Sequence, residues 1–294
     1  MHLTQIEIGR ILTRTSGFLH DVCSHSLQPY RGCALGSSLC GVGCYVQHNV
    51  HVTRGEKWGS FVEARTNAAT AYRTEYESER RWARGRRGKF SIFLSSSTEP
   101  FQPLEKKHRV TRSVLEAMAE LPPDELILQT HSHHVTDYLD LYPTLAMRMA
   151  LRVHISIESD RDTLPGLPRP ASSVVQRMEA ARQLRNGGIF VVATVAPLLP
   201  IEAPEQFFAR LAEVADAVVI DHFIEGDGSP DGRRTLRTAL PVAIAGVEPG
   251  AISLEYRDRV LAIAARHFPG RAGVNIAGFA GKWDDRRLGN GNTP

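Results

Sequence analysis

From residue 89 onward the chain alternates between short apolar runs and longer amphipathic stretches. KFSIFLSSS (89–97), ELILQT (125–130), LRVHISIE (151–158), IFVVATVAP (189–197) and AVVIDHF (217–223) are apolar and partly β-branched. Runs of this kind predict strands buried on both faces, as in a parallel sheet. Between them apolar positions recur at helical spacing over 110–121, 138–150, 172–186 and 204–215, and once more over 255–267. Asn186-Gly187-Gly188 reads as a helix stop before the next strand. A short strand before residue 28 brings the count to about six βα units. The pattern predicts an α/β fold with a parallel sheet, a partial (β/α)6 TIM-like barrel rather than a closed one of eight strands. In either form the site belongs at the C-terminal ends of the strands. Residues 60 to 83 fit one further helix.

The organisation expected is an N-terminal arm over 1–27, a barrel over 28–270 and a C-terminal extension over 271–294. The polar, Gly-rich tail from 280 on is expected to be mobile. No apolar run approaches the roughly 20 residues of a membrane span. The start, MHLTQIEIGR, has no apolar core of the signal-peptide kind. A soluble, cytoplasmic protein with no membrane partner is therefore expected. An apolar content of 42% and a charged content of 23% exclude a disordered or collagen-like chain. The net charge of +3 permits a nucleic-acid partner without arguing for one. The Arg80–Lys89 segment gathers Arg80, Arg81, Arg84, Arg86, Arg87 and Lys89 around Trp82. It fits a nucleic-acid surface or a solvated helix end.

Cys23, Cys33, Cys40 and Cys44 all lie within 22 residues. A local cluster in an intracellular chain points to metal or redox chemistry rather than to disulfides. The stretch QPYRGCALGSSLCGVGC is a loop, to be ordered by a bound ion or cluster. Three close cysteines leave two readings open. Zinc wants four ligands, for which Cys23 or a nearby histidine would complete the set. A [4Fe–4S] cluster held by three thiolates keeps one iron open for a ligand.

QPYRGCALGSSLCGVGCY resembles the N-P-Y-x-G-C cysteine loop of the radical S-adenosylmethionine enzymes related to spore photoproduct lyase. STEPFQPLEKKHRVTRSVLEAM (97–118) is similar to that family's T-D-P-Y-Q-P-x-E…T-R-x-x-L-E block. GSFVEARTNA (59–68), QTHSHHVTD (129–137), HISIES (154–159) and VAPLLP (195–200) resemble further blocks, in the family's order. The resemblance implies a partial barrel that binds a [4Fe–4S] cluster and S-adenosylmethionine. It implies reductive cleavage to a 5′-deoxyadenosyl radical, which takes hydrogen from a substrate of unknown identity, a nucleic acid or nucleotide by analogy. It implies an electron donor of flavodoxin or ferredoxin type.

Carried over by position, the resemblance makes Cys33, Cys40 and Cys44 the cluster ligands and Cys23 a bystander. Thr98 and Glu99 fall where the methionine ammonium is held, and His131 where its carboxylate is held. Ser156 and Glu158 fall at the ribose, Ala196 and Pro197 beside the adenine. Asp221 and His222 are candidate substrate contacts. Among the departures from the pattern, Gln28 stands for its asparagine, Thr136 for its arginine, and Gly43 where an aromatic residue precedes the last cysteine; three others bear on the chemistry. The cysteine spacing is x6 then x3, where the family has x3 then x2. His131 stands for a lysine. The lyase's hydrogen-donor cysteine lies two residues before the strand-end acid; here that place is Ser97, and no cysteine follows Cys44. The alternative is a non-catalytic zinc- or nucleic-acid-binding protein on a barrel scaffold.

Overall fold

The computed structural model describes residues 1–283. The strands are β1 (His2–Ile6), β2 (Leu12–Arg14), β3 (His25–Leu27), β4 (Tyr30–Gly32), β5 (Phe61–Arg65), β6 (Ser91–Leu94), β7 (Glu125–Thr130), β8 (Ala150–Ser156), β9 (Phe190–Val195), β10 (Ala217–Ile220) and β11 (Ala272–Val274). Among the described residues the main sheet has eight strands in the order β11-β10-β9-β8-β7-β6-β3-β2. From β3 to β11 every pairing is parallel, and β2 alone runs antiparallel at one edge. The six expected βα strands are β3, β6, β7, β8, β9 and β10, so the partial parallel barrel is the fold observed. The first strand falls in the last residues of the expected arm, and the segment from 271 adds a further edge strand. The expectation of a mobile tail lies, for 284–294, outside the described residues.

Strand parity divides the core. Ile92, Leu94, Leu126, Leu128, Val153, Ile155, Val191, Val195, Val218 and Ile220 face outward, into a large cluster beneath the helices. The alternate positions Phe93, Ile127, Val192, Ala217 and Val219 face inward, into a smaller cluster with Val22, Cys23 and Phe279. Because both faces are covered, each strand reads as a continuous apolar run. The helices over Ala68–Arg87, Val110–Glu120, Val174–Asn186, Pro204–Ala212 and Leu254–His267 cover the outside. Ser173 and Gln176 form a reciprocal capping box that starts one of them.

The pattern over 60–83 predicts a single helix, and the structure corrects it. Phe61–Arg65 is a strand, and the helix begins only at Ala68. β5 pairs in parallel with β1 and antiparallel with β4, making a small side sheet. Its partners come from the arm and the start of the cysteine loop, which local periodicity does not reveal.

Candidate functional site

A cavity of about 500 Å³ opens at the C-terminal ends of the strands. Strand parity builds its wall. The inward positions run on past the strand ends as Gln129 and His131, Ser156 and Glu158, Ala196, and Asp221, and all of these line it. Cys40, Cys44, Ser96, Ser97 and Pro197 line it too. Phe93 and Phe279 form an apolar floor, with His154 stacked on Phe279 at 5.9 Å between ring centroids. Burial holds the His154 imidazole well below its ordinary value, and hence neutral.

The cysteine loop folds back over this mouth. Cys33 follows β4, Cys40 lies in a short helix over Leu39–Gly43 and Cys44 caps its end. The loop closes tightly on itself, since a Cβ on Gly41 would stand 2.1 Å from the Leu35 carbonyl oxygen. Ser38 accepts from the Gly41 amide at the helix start, and the Leu39 amide donates to the carbonyl of Arg169, tying the loop to the segment after β8. All four cysteines are free thiols. Burial pushes the Cys33 thiol up to about 12, and the Cys40 charge adds to the shift. Cys44 is raised by burial and then by the charges of Cys40 and Cys33. The three thiols therefore act on one another electrostatically. Cys23 is apart from them, in the inner core, its thiol raised to about 12 by burial.

The opposite wall is a chain of charged groups. His131 donates from Nδ1 to Glu158 Oε1 at 2.8 Å, and Arg177 donates from Nη1 to Glu158 Oε2 at 2.5 Å and to the Ser156 carbonyl at 2.5 Å. Burial works against a charge on His131, but Cys40 and Glu158 outweigh it and hold the imidazole well above its ordinary value. Burial likewise opposes the Glu158 charge, yet Arg177 and His131 hold that carboxyl down at about 2. Beneath them Gln129 donates to Ser156 Oγ at 2.7 Å and to Thr194 Oγ1 at 3.1 Å.

Thr98 and Glu99 stand behind the wall, not on it. Both are buried. Glu99 Oε1 accepts from Thr130 Oγ1 at 2.6 Å and from the Phe101 amide at 3.0 Å, while Oε2 accepts from the His131 amide at 2.8 Å. Thr98 donates to the Tyr30 carbonyl at 3.2 Å. His133 meets Ser172 and His134 meets Asp137, both away from the cavity. His222 caps a turn, accepting from the Ile224 amide at 3.1 Å and donating to the Ala251 carbonyl at 3.0 Å.

The Arg80–Lys89 segment lies at the other end of the sheet, where β6 and β7 begin. Arg84 pairs with Asp124, Lys89 with Glu125 and Arg80 with Glu77. Three of its six cationic side chains are thus paired within the molecule, while among the described residues Arg81 and Arg86 are exposed with no ion pair. Arg177, Gln129 and Thr194 are site residues that the motif blocks did not single out. Arg177 had a signal: it shares the apolar helical face of Val174, Met178 and Ala181, where a buried arginine needs a partner.

No family model matches the chain. It is 25% identical over 175 residues to an uncharacterized protein of Methanocaldococcus jannaschii, across 59% of this chain and 60% of that one. A stretch of 106 residues is 32% identical to a molybdenum cofactor guanylyltransferase of Sinorhizobium fredii, across 36% of this chain and 46% of that protein. The chain thus spans less than two thirds of the length of these curated relatives. Against solved structures, it aligns with spore photoproduct lyase holding S-adenosylmethionine and a dinucleoside spore photoproduct, with a TM-score of 0.61 and 17% identity over 93% of this chain and 81% of that one. The chain has the fold of spore photoproduct lyase. A second structure of the lyase, complexed with the dinucleoside photoproduct, gives a TM-score of 0.58 over the same 93% of this chain. This is the fold that the motif blocks implied. Among the described residues no helix is long and apolar enough to cross a membrane.

Proposed function

We propose that the protein is a radical S-adenosylmethionine enzyme acting on a nucleic acid or nucleotide. One observation carries this reading. Cys40 and Cys44 share a single cavity with His131, Ser156, Glu158, Ala196 and Pro197, at the strand ends of a lyase-type barrel. Cys33, Cys40 and Cys44 are proposed to hold a [4Fe–4S] cluster. The donor chemistry suits it, three free thiols that raise one another and would be deprotonated on ligation, although among the described residues they are not yet gathered into a metal-binding group. When bound, the cluster and S-adenosylmethionine supply a 5′-deoxyadenosyl radical, given an electron from a flavodoxin- or ferredoxin-type donor.

The chain's own residues do the rest. His131, held by Glu158, would face the cofactor's carboxylate. Ser156 and Glu158 would hold its ribose, and Ala196 and Pro197 would lie against its adenine. Thr98 and Glu99 act at one remove, Glu99 by fixing the backbone of His131. The apolar floor of Phe93 and Phe279 keeps water from a reactive intermediate. Ser96 and Ser97 line the wall where a donor cysteine would stand, and a serine O–H is too strong to give up a hydrogen atom. On this reading the reaction does not use the lyase's donor cysteine at this place.

The test uses anaerobically reconstituted protein. Iron and sulfide are assayed first, then 5′-deoxyadenosine after addition of dithionite and S-adenosylmethionine. The wild type should be brown and should form 5′-deoxyadenosine, and Cys40→Ala should lose both. Uptake of zinc with no cluster would hand the site to a binding role instead.

A further inference from the structure

One end of the cavity is not accounted for by the cofactor residues. Asp221 lies there, one residue beyond β10 and only 6% exposed. Its backbone is fixed on both sides, the amide donating to the Val195 carbonyl and the carbonyl accepting from the Leu198 amide. The Gly226 turn packs against its carboxyl so closely that a Cβ there would stand 2.5 Å from Oδ2. The side chain is thus held in one place. Yet among the described residues Oδ1 is fully buried with no hydrogen-bond partner.

The neighbours do not relieve it. Arg257, whose charge opposes the burial of Asp221, is engaged by Glu225 at 3.0 Å and Asp258 at 2.8 Å. Asp227, two turns of chain away, is fully satisfied by Ser229 and the Thr235 amide. Arg234 and Tyr45 line the same cavity, and among the described residues Arg234 makes no ion pair, donating to the Asp227 carbonyl at 3.2 Å. A buried carboxyl without a partner is costly, and it is tolerated where a ligand completes it.

We propose that Asp221 is a specificity-determining residue of this cavity, and that it reads the hydrogen-bonding edge of a nucleobase on the substrate. Such an edge places an N–H donor beside an acceptor, and a carboxyl can meet both at once. Burial pushes the Asp221 carboxyl up to about 7; Arg257 opposes the shift, and Glu225 and Asp227 add to it. Near neutral pH the group can therefore donate as well as accept. Arg234, which lines the same cavity and makes no ion pair among the described residues, suits the phosphate of the same nucleotide. Asp221 belongs to none of the blocks that carry the cofactor resemblance. The proposal rests on the nucleotide reading above and names the residue that would read the base.

The experiment is equilibrium binding to cluster-loaded protein saturated with S-adenosylmethionine, whose own binding is measured first. The probes are the four common nucleoside 5′-monophosphates, with ribose 5-phosphate as a control that has no base edge. In the wild type at least one nucleotide should bind about tenfold tighter than ribose 5-phosphate. Asp221→Leu should erase that preference and leave ribose 5-phosphate and S-adenosylmethionine binding within about threefold. Asp221→Asn, which keeps a donor and an acceptor, should retain the preference. If Asp221→Leu does not fold by circular dichroism, Asp221→Ser takes its place, with the same loss expected.

The proposal is overturned if no nucleotide exceeds ribose 5-phosphate, or if the preference survives loss of the carboxyl. It is also overturned if S-adenosylmethionine binding falls by the same factor, which would assign Asp221 to the cofactor. Failure of the radical reading is separate: it appears as wild-type protein that neither binds S-adenosylmethionine nor forms 5′-deoxyadenosine.

Discussion

Arg177 holds two points of the cavity wall at once, the Glu158 carboxylate and the Ser156 carbonyl. It is itself 2% exposed. Replacing it with methionine keeps the bulk but leaves the buried Glu158 charge with His131 alone. We expect Arg177→Met to cost about 3–5 kcal/mol in urea unfolding, the usual loss when one partner of a buried ion pair is removed. Asp221 predicts the opposite kind of behaviour. Its carboxyl stands near pH 7 in the folded chain, against 3.8 when free. Between these values the folded chain keeps a proton that the unfolded chain has lost, so stability falls as pH rises. Above both values the whole penalty remains, about 4 kcal/mol at most. Asp221→Asn has no such titration. Its melting temperature relative to wild type should therefore rise by several degrees between about pH 5 and about pH 8, at about 2–4 °C per kcal/mol. A difference that does not change with pH would show that Asp221 is solvated in the folded protein. Asp221 was visible in the sequence as a polar residue ending an apolar run. What the sequence hid was its lack of a partner, which depends on the Gly226 turn and on Arg257 being held elsewhere.

At the level of elements, the strands were legible because a parallel sheet covered on both faces writes itself as plain apolar runs. β7 matches its run residue for residue, and β8 and β9 fall within a residue or two of theirs. β5 was not legible, because its pairing with β1 and β4 depends on segments distant in sequence. The cysteine loop is an intermediate case. Its cysteines and glycines were obvious, but the reason for the glycines is spatial. Gly36 meets the Gly59 backbone and Gly41 meets Leu35 and Gly36, with no room for a Cβ at either contact. The longer spacing between Cys33 and Cys40 is thus folded into a tight turn rather than left slack. Gly41→Ala should push the Leu39–Gly43 helix off that turn and displace Cys40 and Cys44 together. We expect iron bound per chain after reconstitution to fall severalfold, with the far-ultraviolet dichroism of the barrel unchanged. Full iron loading in that variant would mean that the turn does not set the ligand geometry.

At the scale of the whole molecule, an open barrel has a problem that a closed one lacks: its two edge strands leave a slot into the interior. Here β2 and β11 are those edges. The turn over Gly17–Asp21 follows β2, and the helix over Asn275–Phe279 follows β11. They meet across the slot through Phe18 and Phe279, whose ring centroids are 5.7 Å apart at 71°. Phe279 continues inward to Phe93 and His154 and forms part of the cavity floor. Closure is thus made by aromatic packing, where the sheet supplies no hydrogen bonds. This explains why the C-terminal segment belongs with the barrel although its sequence reads as an appendage: three residues of strand and five of helix carry too little pattern to announce themselves. Phe279→Ala should remove the plug and the floor together. The expected cost is about 3–5 kcal/mol, as for other buried phenylalanines. Phe18→Ala should open the slot at smaller cost, because Phe18 is only partly buried. Both variants should bind a hydrophobic dye at the exposed interior. The β10 amides on the side covered by β11, Val218 among them, should exchange faster with solvent than those of β7 at the centre of the sheet. If Phe279→Ala instead weakened all strands equally, the slot would not be a separate unit, and the barrel would stand or fall as one.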